Sequence, residues 1–309
     1  MNANMLQFGV WPNCTNNCDF CLRLNRKPYT KQEQIFWLNA IKENVKHVDW
    51  TNDFPFGISL LGGELFYVHN PQVQQAFMDL IETVVTYVLT DKTPHARFST
   101  VTNGLYKPHF LYKVVDYIKD QVGIERIDVN FSYDLKYRYK TEQARLTALN
   151  NILDFQRRYD YKVGVQMILT QYVINEWKAG RFDVNEFLTN VIPGCQLAFL
   201  YPHPIHTGKK LDDFQFNRSD FLAFVSYLKQ ASYDTYYLFV NSTKNSGTFK
   251  YTGLRDRVTL DIEKLKTQKA VLSDGKEILA PCGHSTLYRC YADSDKCVLC
   301  DLQLLDGDL

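Results

Sequence analysis

Six short apolar runs, each followed by a longer stretch of helical period, constrain the fold of this 309-residue chain more than any other feature. The runs at 7–11, 57–61, 97–102, 126–132, 162–170 and 196–201 have the length and bounding turn residues of strands. Between them, residues 32–48 place Ile35, Leu38, Ile41 and Val45 at helical spacing, and the segment 71–89 begins on Pro71, a favoured first-turn residue. Helices are likewise expected over 108–122, 142–159, 184–191 and 219–232. Strands alternating with helices pair in parallel and wind right-handedly. Six units fall short of the eight that close a full barrel. The expectation is therefore an α/β partial (β/α)6 barrel, open on one side, with its mouth at the carboxyl ends of the strands, where such folds bind ligands.

After residue 232 the pattern changes. Residues 236–241 and 248–252 read as strands around Asn245-Ser246-Gly247, and 270–280 reads as a hairpin about Asp274-Gly275 that leads directly to Cys282. This divides the chain into a barrel over 1–232 and a small cysteine-rich C-terminal module over 233–309. A formal charge of +1 gives no overall electrostatic case for nucleic-acid or membrane binding. No apolar run is long enough to cross a bilayer, and the N-terminus lacks a secretion signal, so a cytoplasmic protein with no membrane partner is expected.

In such a compartment eight cysteines point to metal or redox chemistry before disulfides. Cys14, Cys18 and Cys21 form a Cys-x3-Cys-x2-Cys run, while Cys282, Cys290, Cys297 and Cys300 gather near the other end. Only Cys195 lies between, and it reads as a small buried apolar residue. Three thiolates within eight residues can hold one soft metal or one cluster, and with no fourth Cys or His nearby one iron of a 4Fe–4S cluster is left open for chemistry. The rival is a zinc site completed by a distant residue. The four C-terminal cysteines suffice for either a second 4Fe–4S cluster or Zn, with His284 as a substitute ligand.

The triad, with the aromatic Phe20 before its last cysteine, resembles the signature of the radical S-adenosylmethionine (SAM) superfamily, whose cysteine loop follows the first strand of a partial barrel. Gly62-Gly63-Glu64, at the end of the second strand, is similar to the family's Gly-Gly-Glu motif, in which the glycines allow close backbone approach and the Glu accepts from an ammonium group. Thr102-Asn103-Gly104 and Ser132-Tyr133-Asp134 resemble motifs that end later strands. By that resemblance Asn103, Ser132 and Leu200 lie at the SAM site, Ser132 reaching its ribose or carboxylate, and Arg145 pairs with its carboxylate through a bidentate fork. His203 and His206 follow the sixth strand into the mouth, as ligand contacts or as ordinary loop residues.

The hairpin and Pro281-Cys282-Gly283 look like the start of the SPASM or twitch modules that follow many of these barrels, with fewer and more closely spaced cysteines than usual. The resemblance implies a 4Fe–4S cluster, SAM, and an electron donor such as flavodoxin or ferredoxin. It also implies reductive cleavage of SAM to a 5′-deoxyadenosyl radical that abstracts hydrogen from a substrate. The tail favours a peptide or protein substrate. The alternatives are a radical SAM enzyme acting on a nucleotide or nucleic acid, and a non-catalytic zinc-binding interaction protein. No residue of the chain is singled out as the one that meets the substrate.

Overall fold

The computed structural model describes residues 5–14, 16, 18, 27–52, 54–105, 109–200, 216–244 and 249–252. Its centre is a parallel sheet built from β1 (Met5–Gly9), β2 (Gly57–Leu61), β3 (Arg97–Thr102), β4 (Ile127–Ser132), β5 (Gly164–Ile168) and β6 (Gln196–Leu200), with β7 (Phe249–Thr252) beyond β1. The order β6-β5-β4-β3-β2-β1-β7 follows the chain strand by strand from β1 to β6, as repeated right-handed βα units require. Every neighbouring pair is parallel, so all the carboxyl ends open on one side. The expected α/β partial barrel is present.

The helices covering the sheet have ends that the sequence specifies. Helix α1 (Lys31–Lys46) begins on a capping box, with Thr30 Oγ1 accepting from the Glu33 amide and the Glu33 carboxylate accepting from the Thr30 amide. In α2 (Pro71–Tyr87), Asn70 caps the first amides and Pro71 stands where its missing N–H costs nothing. This helix buries Val73, Phe77, Leu80, Ile81 and Val84 along one stripe. Each such side chain contributes about 1.5–3 kcal/mol on removal from water. Helices α3 (His109–Val122) and α4 (Glu142–Tyr159) follow β3 and β4, Thr141 capping α4. Phe131 packs edge to face on Phe155, which in turn packs at a tilt against Tyr159.

Three elements depart from the sequence reading. Helix α5 (Gln171–Lys178) was not expected; its Thr170 cap is plain, but eight residues are too few to show a periodic stripe. The helix expected over 184–191 is a single turn, α6 (Val184–Glu186), that runs into a π-helix over Phe187–Val191. After α7 (Arg218–Ala231), the strand expected over 236–241 is instead part of α8 (Tyr233–Lys244). Its aromatics favour a strand by propensity, yet Tyr236 and Phe239, three apart, are both buried, and packing against β6 and α7 decides the outcome. Strand β7 lies within the segment expected to be extended at 248–252, and it adds to the barrel sheet: Met5 pairs with Phe249 and Phe8 with Thr252. The chain therefore leaves Thr252 on the mouth side of the sheet, beside the strand that leads to Cys14. The hairpin over 270–280 and the cysteines at 282, 290, 297 and 300 lie outside the described residues. Among the described residues, no helix is long and apolar enough to cross a membrane.

Candidate functional site

The first sheet connection continues past its last strand residue. Beyond β1 the Val10 amide donates to Leu61 O at 2.7 Å, the Gly63 amide to Trp11 O at 2.8 Å and the Glu64 amide to Asn13 O at 2.7 Å. The loop Gly62-Gly63-Glu64 is thus laced, backbone to backbone, onto the three residues that precede Cys14. Trp11, almost wholly buried, adds its indole N–H to Glu64 O at 3.3 Å. A Cβ on Gly63 would stand 2.2 Å from Asn13 O and 2.5 Å from Pro12 O, so only glycine fits there.

Asn13 closes the cysteine loop at its base. Its side-chain amide donates to Tyr29 O at 2.9 Å, and its Oδ1 accepts from the Tyr29 amide at 2.8 Å. Tyr29 is itself fixed, its ring stacked on Trp37 of α1 and its neighbour Thr30 capping that helix. Entry and exit of the segment carrying Cys14, Cys18 and Cys21 are therefore held together by one side chain. Cys14 is exposed and Cys18 buried; Cys21 lies outside the described residues. The Asn16 amide donates to Cys14 Sγ at 3.3 Å, and the Asn103 side-chain amide approaches the same sulfur at 3.8 Å.

Glu64 turns inward. One per cent exposed, its carboxylate accepts from the Asn103 amide at 2.7 Å, Thr102 Oγ1 at 3.0 Å and the Phe66 amide at 3.3 Å. It ties the end of β2 to the end of β3, where Gly104 adopts φ +70° to turn the chain. Burial pushes its pKa up from 4.5 to about 7, against the pull of these donors. Between those values the native state holds a proton that the unfolded chain has released. Stability is then full below about pH 4.5 and falls as pH rises through 7, by roughly 3 kcal/mol over the window. Glu64→Gln is expected to flatten that slope, as read from urea midpoints of the metal-free protein at pH 5 and pH 8. Equal slopes in both proteins would contradict the burial of an ionisable Glu64.

The end of β4 supplies a second buried group. Asp134, 2% exposed, forms an ion pair with Arg138 and accepts from the Ile168 amide on β5 at 2.6 Å. Tyr139 donates to Ser132 O at 2.9 Å and reaches Asn103 O at 3.5 Å. Ser132 is itself nearly buried. Arg145 lies one turn into α4, hydrogen-bonded to Tyr133 Oη at 3.0 Å and to Glu142 Oε2 at 2.9 Å. Its guanidinium is therefore tied to the residue following β4. Leu200 ends β6, its carbonyl accepting from the Leu169 amide at 2.8 Å. These contacts bring Gly63, Glu64, Asn103 and Cys14 together, and Tyr139 connects Ser132 to Asn103. Leu200 has no such link among the described residues. His203 and His206 lie outside them. Cys195 is buried, its thiol pushed up to about 12 by desolvation, in keeping with an apolar role.

No protein-family model matches the chain. No curated protein sequence matches it either. Among solved structures it is similar to Streptococcus suis SuiB bound to S-adenosylmethionine, at 12% identity and a TM-score of 0.48, over 81% of this chain and 50% of that one. It is also similar to a radical SAM methyltransferase from Sphaerobacter thermophilus, at 13% identity and a TM-score of 0.43, over 72% of this chain and 62% of that one. The chain thus spans about half the length of SuiB and less than two thirds of the methyltransferase.

Asn13, Thr102, Asp134, Arg138 and Tyr139 are the site residues that the sequence reading missed. Thr102 and Asp134 stood inside quoted motifs without a role. Asn13 could have been suspected as an Asn directly preceding the triad. Arg138 lay in Lys136-Tyr137-Arg138-Tyr139-Lys140, which has the composition of a solvated loop.

Proposed function

We propose that the chain is a radical SAM enzyme in which Cys14, Cys18 and Cys21 hold a 4Fe–4S cluster at the mouth of the partial barrel. The observation that carries this reading is the lacing of Gly62-Gly63-Glu64 onto Trp11 and Asn13, which sets a glycine loop directly against the start of the cysteine loop. The donors present suit such a cluster: soft thiolates, amide N–H groups directed at Cys14 Sγ, and the buried guanidinium of Arg138. Bound together, the cluster and SAM supply one-electron cleavage of SAM to a 5′-deoxyadenosyl radical able to abstract a substrate hydrogen. The protein's share is position and shelter. Asn13 and the glycine loop hold the cysteine segment, while Ser132 and Arg145 are the candidates for the polar groups of SAM.

The substrate class that fits best is a peptide or protein, because the C-terminal cysteine pattern resembles the SPASM and twitch modules that follow many such barrels. In this reading Cys282, Cys290, Cys297 and Cys300 hold a second 4Fe–4S cluster or Zn, and flavodoxin or ferredoxin supplies the electron. The test is anaerobic reconstitution with iron and sulfide, followed by dithionite and SAM and a search for 5′-deoxyadenosine. About eight irons per chain with cleavage is the expected result, since each cubane holds four. About four irons and one zinc, with cleavage, would make the tail a zinc site. Zinc alone without cleavage would favour the interaction protein and overturn the proposal.

A further inference from the structure

We propose that Arg138, held in place by Asp134, sets the reduction potential of the cluster carried by the cysteine triad, keeping it within reach of its electron donor. This rests on the cofactor reading above. The side chain of Arg138 is 11% exposed and that of Asp134 only 3%, so neither charge is lost to solvent. A chain of contacts links the segment that carries them to the cysteine loop. The Asn103 side-chain amide approaches Cys14 Sγ, the Asn103 carbonyl faces the Tyr139 hydroxyl, and Tyr139 follows Arg138 in the chain. Arg138 interacts electrostatically with Cys18, itself 5% exposed, and with Asp134, Tyr139 and Glu64.

The physics has a definite sign. Reduction adds one electron to the cluster and takes up no proton, so the charge on the thiolate-ligated group becomes one unit more negative. A buried cation stabilises that product more than the oxidised form, and the potential rises. Asp134 opposes it, and its second role is to fix the guanidinium against β5 through the Ile168 amide. Glu64, pushed up to about 7 by burial, is largely neutral on the acid side of neutrality and adds little negative charge there.

The test is an EPR-monitored potentiometric titration of the reconstituted full-length protein, wild type against Arg138→Gln, Arg138→Lys and Asp134→Asn. Signals from a C-terminal cluster are removed by comparing each protein with its counterpart lacking Cys14, Cys18 and Cys21. Arg138→Gln is expected to lower the reduced-to-oxidised ratio at fixed potential at least tenfold, a shift of about 59 mV for one electron. Arg138→Lys, which keeps the charge, is expected to stay within threefold of wild type. Asp134→Asn is expected to shift in the opposite direction. A merely structural pair would move Arg138→Gln and Asp134→Asn the same way, and that outcome overturns the proposal. So does an unchanged potential in Arg138→Gln. Should Arg138→Gln fail to take up iron, the sign of the Asp134→Asn shift decides alone: a rise supports the proposal and anything else overturns it. A wild-type protein that takes up no triad cluster would overturn the cofactor reading instead, which iron and sulfide counts reveal before any titration.

Discussion

Replacing Cys14, Cys18 and Cys21 together by alanine is expected to remove about four irons per chain and to abolish 5′-deoxyadenosine formation, leaving the fold intact. The loss in activity is total in this reading because the triad leaves one iron open for SAM, whereas the four C-terminal cysteines suffice to ligate a second cluster or Zn completely. Stability, by contrast, is expected to change little in the metal-free protein. Cys14 is exposed, and the loop ends are held by Asn13 on Tyr29 and by the Trp11 and Asn13 carbonyls, none of which needs a thiol. Buried Cys18 carries the main packing cost, on the order of 1 kcal/mol for one small side chain. Far-UV circular dichroism and a urea midpoint close to wild type, alongside iron and sulfide counts, would separate loss of the site from loss of the fold. Retention of cleavage by the triple variant would show that the chemistry resides elsewhere.

How far the sequence discloses this arrangement depends on the kind of constraint. Long-range order was legible where one local signal repeats: six apolar runs with helical spacers specify a parallel sheet in chain order, and α4 spans Glu142–Tyr159 as its spacing predicts. Elements set by tertiary packing were not. Residues 236–241 look like a strand because Tyr and Phe favour strands, but in α8 the surfaces of β6 and α7 choose the helix. The same division runs through the site. Glu64 was legible as a residue at a strand end, but not the direction of its carboxylate. That depends on Thr102 and Asn103, nearly forty residues away, offering a hydroxyl and an amide at hydrogen-bonding distance. The Asp134–Arg138 pair was hidden for a related reason. Four-residue spacing of opposite charges is common on surfaces, and only the structure shows this one buried, with the Ile168 amide as a third partner.

Gly63→Ala is expected to be the most damaging single change at the site, and far worse than Gly62→Ala one residue earlier. Both positions are crowded, but by different things. At Gly62 the added methyl would stand 2.3 Å from Leu65 Cδ2, a side-chain atom and not main chain. At Gly63 it would stand 2.2 Å from Asn13 O and 2.5 Å from Pro12 O, main-chain atoms that move only if the two segments separate. Separation breaks the Gly63–Trp11 and Glu64–Asn13 hydrogen bonds, each a net contribution of about 1 kcal/mol. It also draws the Glu64 carboxylate from its donors on β3, for a total of roughly 3 kcal/mol or more. Because Asn13 also bridges to Tyr29, the displacement passes to both ends of the cysteine loop, so iron uptake is expected to fall along with stability. Urea unfolding of the metal-free proteins and iron-to-protein ratios after reconstitution would measure the two effects separately. A Gly63→Ala protein with the wild-type midpoint and a full iron complement would show that the glycine loop and the cysteine loop are not packed backbone to backbone. A Gly62→Ala protein as damaged as Gly63→Ala would show instead that Leu65 cannot yield, and that the first glycine is as tightly enclosed as the second.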